Sequence, residues 1–255
     1  MLEYAKLRIM AVIAHPDDEA YSCAGLLAMA AEGGAVVSVV AATRGEAGRD
    51  REGIITPGPT LARLRTVELG ISCRAIGVQP PLFLDLPDGG LHDNLELEFR
   101  LKDIFTRLKP NVVVTLGEDG AYGHLDHLAV TDAVTRLVGD MPKRKRPRLL
   151  YVQFPKGLFG KVRAYMNRAM PAMLGSTTTG IDPADADIIL DIRQWRGNKL
   201  NALAAHRSQL KVGDPKSFLV PGLAECLLDT EMYTCVAGPA LPRGATTPLD
   251  GIEVP

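Results

Sequence analysis

Residues 7–19 read LRIMAVIAHPDDE. The first eight form a short run rich in apolar and branched side chains, closed by His15-Pro16, and this predicts a buried strand. Pro16 disfavours helix at His15 but suits the first helical turn beyond it. Asp17, Asp18 and Glu19 follow, then apolar periodicity over residues 20–31 and a stop at Gly33-Gly34. That is a helix with acids at its positive end and glycine at its finish.

The same strand-corner-helix unit recurs outward. Residues 35–42 predict a second buried strand, closed by Thr43-Arg-Gly-Glu46. Residues 49–59 read as a loop, 61–72 as a helix, 78–84 as a strand despite two prolines, and 85–94 as a loop. A helix over 95–108 leads into the strand NVVVTL at 111–116, a loop at 117–123 and a helix from 124 or 125 to 138. A basic loop at 143–148 precedes a strand at 149–154. Residues 155–180 look irregular around a helix near 162–173, and 188–192 and 195–209 predict a strand and a helix. The Pro-, Gly- and Thr-rich residues 239–255 are expected to be a mobile tail.

Strands alternating with helices imply right-handed crossovers. The expected fold is therefore an α/β three-layer sandwich: a mostly parallel, Rossmann-like sheet with helices on both faces, in a single domain over residues 1–255. Such sheets bind ligands outside the carboxyl ends of their strands. That rule singles out residues 15–19, 43–46 and 117–127.

Composition narrows the function classes. With 255 residues and 46% hydrophobic side chains the chain can bury a sizeable core. A net charge of −1 gives no overall pull toward nucleic acid or anionic lipid. The basic run 143–146 with Arg148 reads as a solvated loop. No apolar stretch approaches the roughly 20 residues of a membrane span, and the first residues lack the regions of a signal peptide. None of Cys23, Cys73, Cys226 and Cys235 forms a C-x-x-C pair. They read as free, mostly buried thiols in a reducing compartment, so the expected location is the cytoplasm. Homo-oligomerisation is left open.

Of five histidines, His15 ends the first strand beside Asp17 and Asp18, and His124 and His127 follow the central strand with Asp126 between them. Taken alone, an acidic helix start is ordinary dipole compensation, and two histidines at a helix start are ordinary surface. Together, at two strand ends of one sheet, they make one polar cluster. Imidazole with carboxylate suits Zn²⁺, and also Fe²⁺, Mn²⁺ or Co²⁺. His15 and Asp18 span a corner that lets both face one atom, and His127 can complete three ligands with a position left for water. Asp17 and His124 remain, with the right chemistry for a general base and a general acid. Asp126, two residues from His124, is expected to orient its ring, provided that His124 lies just before the helix. His206 and His92 read as structural. Met166, Met170 and Met173, at helical spacing, read as core beside a segment that could border the substrate.

These residues carry a family resemblance. Ala14-His-Pro-Asp-Asp-Glu19 followed by Gly123-His-Leu-Asp-His127 resembles the PIG-L/LmbE family of zinc-dependent N-acetylglucosaminyl deacetylases. Weaker likeness extends through Thr43-Arg-Gly-Glu46, Arg65-Thr-Val-Glu68, Asp88-Gly-Gly-Leu91 and Ala205-His-Arg-Ser-Gln209. The resemblance implies His15, Asp18 and His127 as metal ligands and Asp17 as base. It implies His124, backed by Asp126, as the group that stabilises and protonates, and Tyr122 as a mobile tyrosine that helps polarise the carbonyl. Glu46, Arg65 and Asp88 match positions that contact sugar in some members. One departure is Ala24-Gly25, where the family often has two glycines. The implied substrate is a small N-acetylglucosamine conjugate, with no nucleic-acid partner. Another N-acyl amine, or a catalytically silent metal-binding regulator, would use the same ligands. A dinucleotide-binding protein is disfavoured, because the first corner lacks the glycine fingerprint.

Overall fold

The computed structural model describes residues 4–175 and 178–253. In chain order its elements are β1 (Arg8–Ile13), α1 (Asp18–Ser22), α2 (Ala24–Glu32), β2 (Val36–Ala41), α3 (Pro59–Ile76), β3 (Leu82–Phe83), α4 (Glu96–Leu108) and β4 (Val112–Leu116). There follow α5 (Gly120–Gly123), α6 (Leu125–Asp140), β5 (Arg148–Gln153), α7 (Gly160–Ala169), β6 (Ile188–Asp191), α8 (Arg196–Ala205), α9 (Leu223–Cys226) and β7 (Thr230–Ala237). The strands make one sheet in the order β3-β2-β1-β4-β5-β7-β6. The five strands from β3 to β5 are mutually parallel, and β7 runs antiparallel to both β5 and β6. The mostly parallel sandwich expected from the sequence is what forms.

The strands of a sheet covered on both faces are buried on both, so they read as continuous apolar runs. In β1, Ile9, Ala11 and Ile13 pack into one core with α2, α3 and α8, while Met10 and Val12 pack into a second core with α4 and α6. This alternation fixes the register: a one-residue slip would exchange the two cores.

Several elements differ from the sequence reading, each for a local reason. The strand expected at 78–84 shrinks to two residues, because Pro80 and Pro81 cannot donate to β2. The helix expected at 20–31 breaks at Cys23, with φ −139° and ψ 11°. The break frees the backbone N–H groups of Gly25 and Leu26, which both donate to the Glu231 carboxylate at 2.8 Å, an anion at a helix start. Lys199 Nζ and the Tyr233 hydroxyl also donate to Glu231, at 2.6 and 2.7 Å. This fully buried cluster ties β7 to α2 and α8, and removing one partner of such a pair costs about 3–5 kcal/mol. A Cβ on Gly25 would overlap the Ile192 side chain. Glycine is thus needed at position 25, whereas Ala24 is simply buried in the core.

β7 falls where no strand was expected. Thr230, Tyr233, Thr234 and Val236, bounded by Gly238-Pro239, are a strand signal. Glu231 hides it by placing a charge at an inward position.

Of the tail expected at residues 239–255, residues 254 and 255 lie outside the described residues, and the rest meets Arg148. Arg148 is fully buried, not part of a solvated basic loop. Its guanidinium donates to the carbonyls of Pro239, Ala240, Pro248 and Asp250 at 2.7–2.9 Å. Lys143–Lys145 form an exposed turn as expected. The helix of residues 162–173 resolves into α7 and a separate 3-10 turn, Pro171–Met173. All four cysteines are free, two of them buried. Among the described residues no helix is long and apolar enough to cross a membrane.

Candidate active site

The three segments singled out by the sequence converge at the carboxyl ends of β1, β2 and β4. Thr43 Oγ1 donates to the Ala14 carbonyl at 3.0 Å, binding the second corner to the first. Asp17 has φ 115°, a region that side chains other than glycine rarely occupy. Such a conformation costs on the order of 1–3 kcal/mol and persists where its surroundings enforce it. Here the Asp17 N–H donates to Glu19 Oε2 at 3.1 Å, and Arg65 Nη2 lies 3.1 Å from the Asp17 carboxylate.

His15, Asp18 and His127 meet. His15 Nδ1 lies 3.2 Å from His127 Nε2 and 3.6 Å from Asp18 Oδ2, and His127 Nε2 lies 3.2 Å from Asp18 Oδ1. Metal bonds of about 2.0–2.2 Å place neighbouring tetrahedral ligands roughly 3.3–3.6 Å apart. The outer nitrogens set the tautomers. His127 Nδ1 bonds to the Gly120 carbonyl at 3.0 Å, and His15 Nε2 faces Asp88 Oδ1 at 3.1 Å and Asp126 Oδ2 at 3.2 Å. Protons on those atoms leave Nδ1 of His15 and Nε2 of His127 as lone pairs facing each other and Asp18. This is the second-sphere support common to metal-binding histidines, and the donor set fits a divalent cation. Burial alone would lower His15, but Asp88, Asp126 and Asp18 hold it well above its ordinary value. Burial would raise Asp18, but His127 and His15 hold it well below. Both directions mark a locus that favours positive charge.

Two other groupings lie close by. His15, His124 and His127 present ring nitrogens within 4.8 Å of one another, as do His15, Asp88 and Asp126 with their own ligand atoms. Asp126 already accepts from the N–H groups of Gly89 at 2.7 Å and Leu91 at 2.9 Å. It is thereby fixed as a support behind His15.

The partner of Asp126 differs from the sequence reading. Its carboxylate was expected on the His124 ring and reaches His15 instead. Only its backbone N–H meets His124, donating to Nδ1 at 3.2 Å. His124 does lie just before α6, as its N-cap. With Nδ1 accepting, the imidazole proton belongs on Nε2. Burial, with His127 and His15 beside it, pushes His124 down to about 2, so the ring is neutral. Burial pushes Asp17 up to about 6 against the pull of Arg65. Tyr122 is buried, its ring centroid 5.3 Å from that of His127. Arg163 clamps this loop, donating to the carbonyls of Tyr122 at 2.8 Å and Gly175 at 2.9 Å.

Arg65 and Asp88 line a cavity of 370 Å³ with His15, Asp17, Asp18 and His124, but Glu46 does not. Glu46 accepts from the Asp88 N–H at 2.9 Å. Arg65 is buried and spends its guanidinium on Asp17 and on the carbonyls of Gly45 and Pro16. A Cβ on Gly45, at φ +70°, would overlap that guanidinium. Met166, Met170 and Met173 wall the cavity, with Arg49 and Arg51 from the irregular loop and Lys211 and Leu219 from a stretch that carried no sequence signal.

His206 had read as structural, and it stands behind Asp17 through Glu19. Its Nε2 bonds to Glu19 Oε1 at 2.7 Å, an oxygen that also accepts from Ser72 Oγ at 2.5 Å. Burial alone would lower His206, but Glu19, with Asp17 and Glu68 beyond it, holds it above its ordinary value. A raised folded value stabilises fully below the unfolded value of about 6.5, and the contribution is lost as pH rises through the folded value. His206→Gln keeps a donor to Glu19 but cannot titrate. The stability gap between wild type and this variant, measured by urea unfolding, is expected to be wider near pH 6 than near pH 9. A gap that does not change with pH would mean that His206 folds uncharged.

Comparison with known proteins bears on the family and the fold. The family model described as PIG-L, GlcNAc-PI de-N-acetylase, matches residues 10–138. A 1D-myo-inositol 2-acetamido-2-deoxy-alpha-D-glucopyranoside deacetylase of Thermobispora bispora is 30% identical, over 96% of this chain and 93% of its own. A probable N-acetyl-alpha-D-glucosaminyl L-malate deacetylase 2 of Bacillus subtilis is 31% identical, over 80% of this chain and 84% of its own. Among solved structures, N,N'-diacetylchitobiose deacetylase of Pyrococcus horikoshii superposes with a TM-score of 0.63 at 20% identity, covering 91% of this chain and 84% of that one. The 4-carboxy-2-hydroxymuconate hydratase GalB of Pseudomonas putida superposes with 0.64 at 16% identity, covering 94% and 100%. The fold therefore serves more than one chemistry, and function must be argued from the site. With the family model covering half the chain and these relatives covering most of it, the chain belongs to the PIG-L family.

Proposed function

We propose that this chain is a metal-dependent amidohydrolase that removes the acetyl group from an N-acetylglucosamine-type amino sugar or its conjugate. It acts in the cytoplasm as a single domain. The observation that carries the reading is the convergence of His15 Nδ1, Asp18 and His127 Nε2 at a cavity that Asp17 also lines. The names of the relatives support the substrate class, since they describe deacetylases of glucosamine linked to inositol and to malate. His15, Asp18 and His127 would hold Zn²⁺, or Fe²⁺ in its place. When bound, the metal polarises the amide carbonyl and brings the pKa of water toward neutrality.

The remaining steps belong to side chains. Asp17, held by Arg65, takes a proton from the attacking water as the carbon–oxygen bond forms. His124, with its proton on Nε2, donates to the oxygen that gains charge, and Tyr122 can donate beside it. As the carbon–nitrogen bond breaks, Asp17 returns its proton to the departing nitrogen, leaving acetate and a free amine. Arg65 and Asp88 support Asp17 and His15 from the cavity wall.

The deciding measurement is acetate release from a panel of N-acetylglucosamine conjugates and simple N-acetyl amines, with and without chelator. Release from the sugar conjugates, abolished by chelation and restored by metal, is the expected result. Release from the simple amines alone would replace the sugar by another N-acyl amine. No release from a metal-loaded chain would leave a silent metal-binding protein.

A further inference from the structure

Tyr21 follows Asp18 by three residues in α1 and so shares its helix face. It lines the same cavity as His15, Asp17, Asp18 and Tyr122. Its ring is wedged against Phe154, Phe159 and Phe218, with centroids 5.7–6.0 Å apart, and the residue is 1% exposed. Yet among the described residues its hydroxyl has no hydrogen-bond partner of good geometry. A buried polar group left unmade costs free energy, and phenylalanine would fill this aromatic cluster without that cost.

Asp18 stands beside the hydroxyl without forming a hydrogen bond of good geometry, and Tyr122 and Asp17 also act on it, all at the cavity. The Asp18 oxygens are already turned to the His15 N–H, His15 Nδ1 and His127 Nε2. Burial and these neighbours keep the phenol protonated, hence a donor. It stands at the buried end of the cavity, beside the base, whereas Arg49 and Lys211 at the outer end are exposed.

We propose that Tyr21 is a further substrate-contacting residue, whose hydroxyl donates a hydrogen bond to the oxygen of the N-acyl group under attack. Together with His124 and Tyr122 it gives that oxygen a third donor from the chain. The assignment rests on the deacylase reading of the site. The unspent hydroxyl is then a group prepared for a ligand atom that only the substrate brings.

Tyr21→Phe tests it, because the lost oxygen makes no well-formed hydrogen bond among the described residues, and any service it does Asp18 is read from the metal content. For an N-acetylglucosamine conjugate, kcat/KM is expected to fall about 10²-fold, as when an oxyanion donor is removed. Metal content and Tm should stay at wild-type values. In an Asp17→Asn background, which binds without turning over, calorimetry should show weaker affinity for the same conjugate when Tyr21→Phe is added. Wild-type kcat/KM in Tyr21→Phe would overturn the assignment. So would a loss of activity that follows a loss of metal, since the hydroxyl would then serve Asp18. A wild-type chain that releases no acetate would sink the deacetylase reading instead, a result distinct from either.

Discussion

Asp17→Asn is expected to keep its metal and lose turnover by about 10²–10⁴, the usual cost of a missing proton-transfer group. The amide retains nearly the volume of the carboxylate and can still meet the Arg65 guanidinium, 3.1 Å away in the wild type. The strained backbone at φ 115° is held mainly through the N–H to Glu19, which the substitution leaves alone. Structure and metal site should therefore survive while the proton acceptor disappears. The check pairs steady-state acetate release with metal analysis of the dialysed protein. Activity within a few-fold of wild type would remove Asp17 from the role of base.

A larger loss is expected from His127→Ala. The His127 side chain is fully buried and supplies one of three lone pairs around a single point. Two ligands from one corner of the chain, His15 and Asp18, cannot hold the ion alone. Metal content should fall to background and activity with it, below the level of Asp17→Asn, because the polarised carbonyl and the activated water vanish together. His127→Asn, nearer in volume, should behave alike and serves as the control for folding, read from thermal melts. A variant that retains one equivalent of metal and wild-type activity would transfer the site to His15, Asp88 and Asp126, the neighbouring group that lacks His127.

These expectations draw unequally on sequence and structure. The central strands were legible because burial on both faces leaves no polar alternation, so β1, β2, β4 and β5 stand out as apolar runs. β7 was not, since its inward Glu231 is neutralised by Lys199, 32 residues away. The contacts of the tail were hidden for a related reason. Its prolines and glycines describe a chain without regular structure, and nothing local reveals that Arg148 binds four of its carbonyls. Of the methionines read as core, Met166 is in the core and Met170 packs against it, but all three also wall the cavity, a second role that helical spacing cannot reveal.

What the sequence determined by itself was the α/β layering and the identity of the residues at the two strand ends, including His15, Asp18 and His127. These follow from short-range patterns: apolar runs, acidic corners and the spacing of histidines. Only the tertiary structure decided who supports whom. Asp126 turned out to serve His15 rather than its sequence neighbour His124, Arg65 to hold Asp17, His206 to stand behind it through Glu19, and Tyr21 to keep a hydroxyl in reserve. A hydrogen bond is settled by direction over a few ångströms, and that direction depends on how segments up to 206 residues apart are packed together.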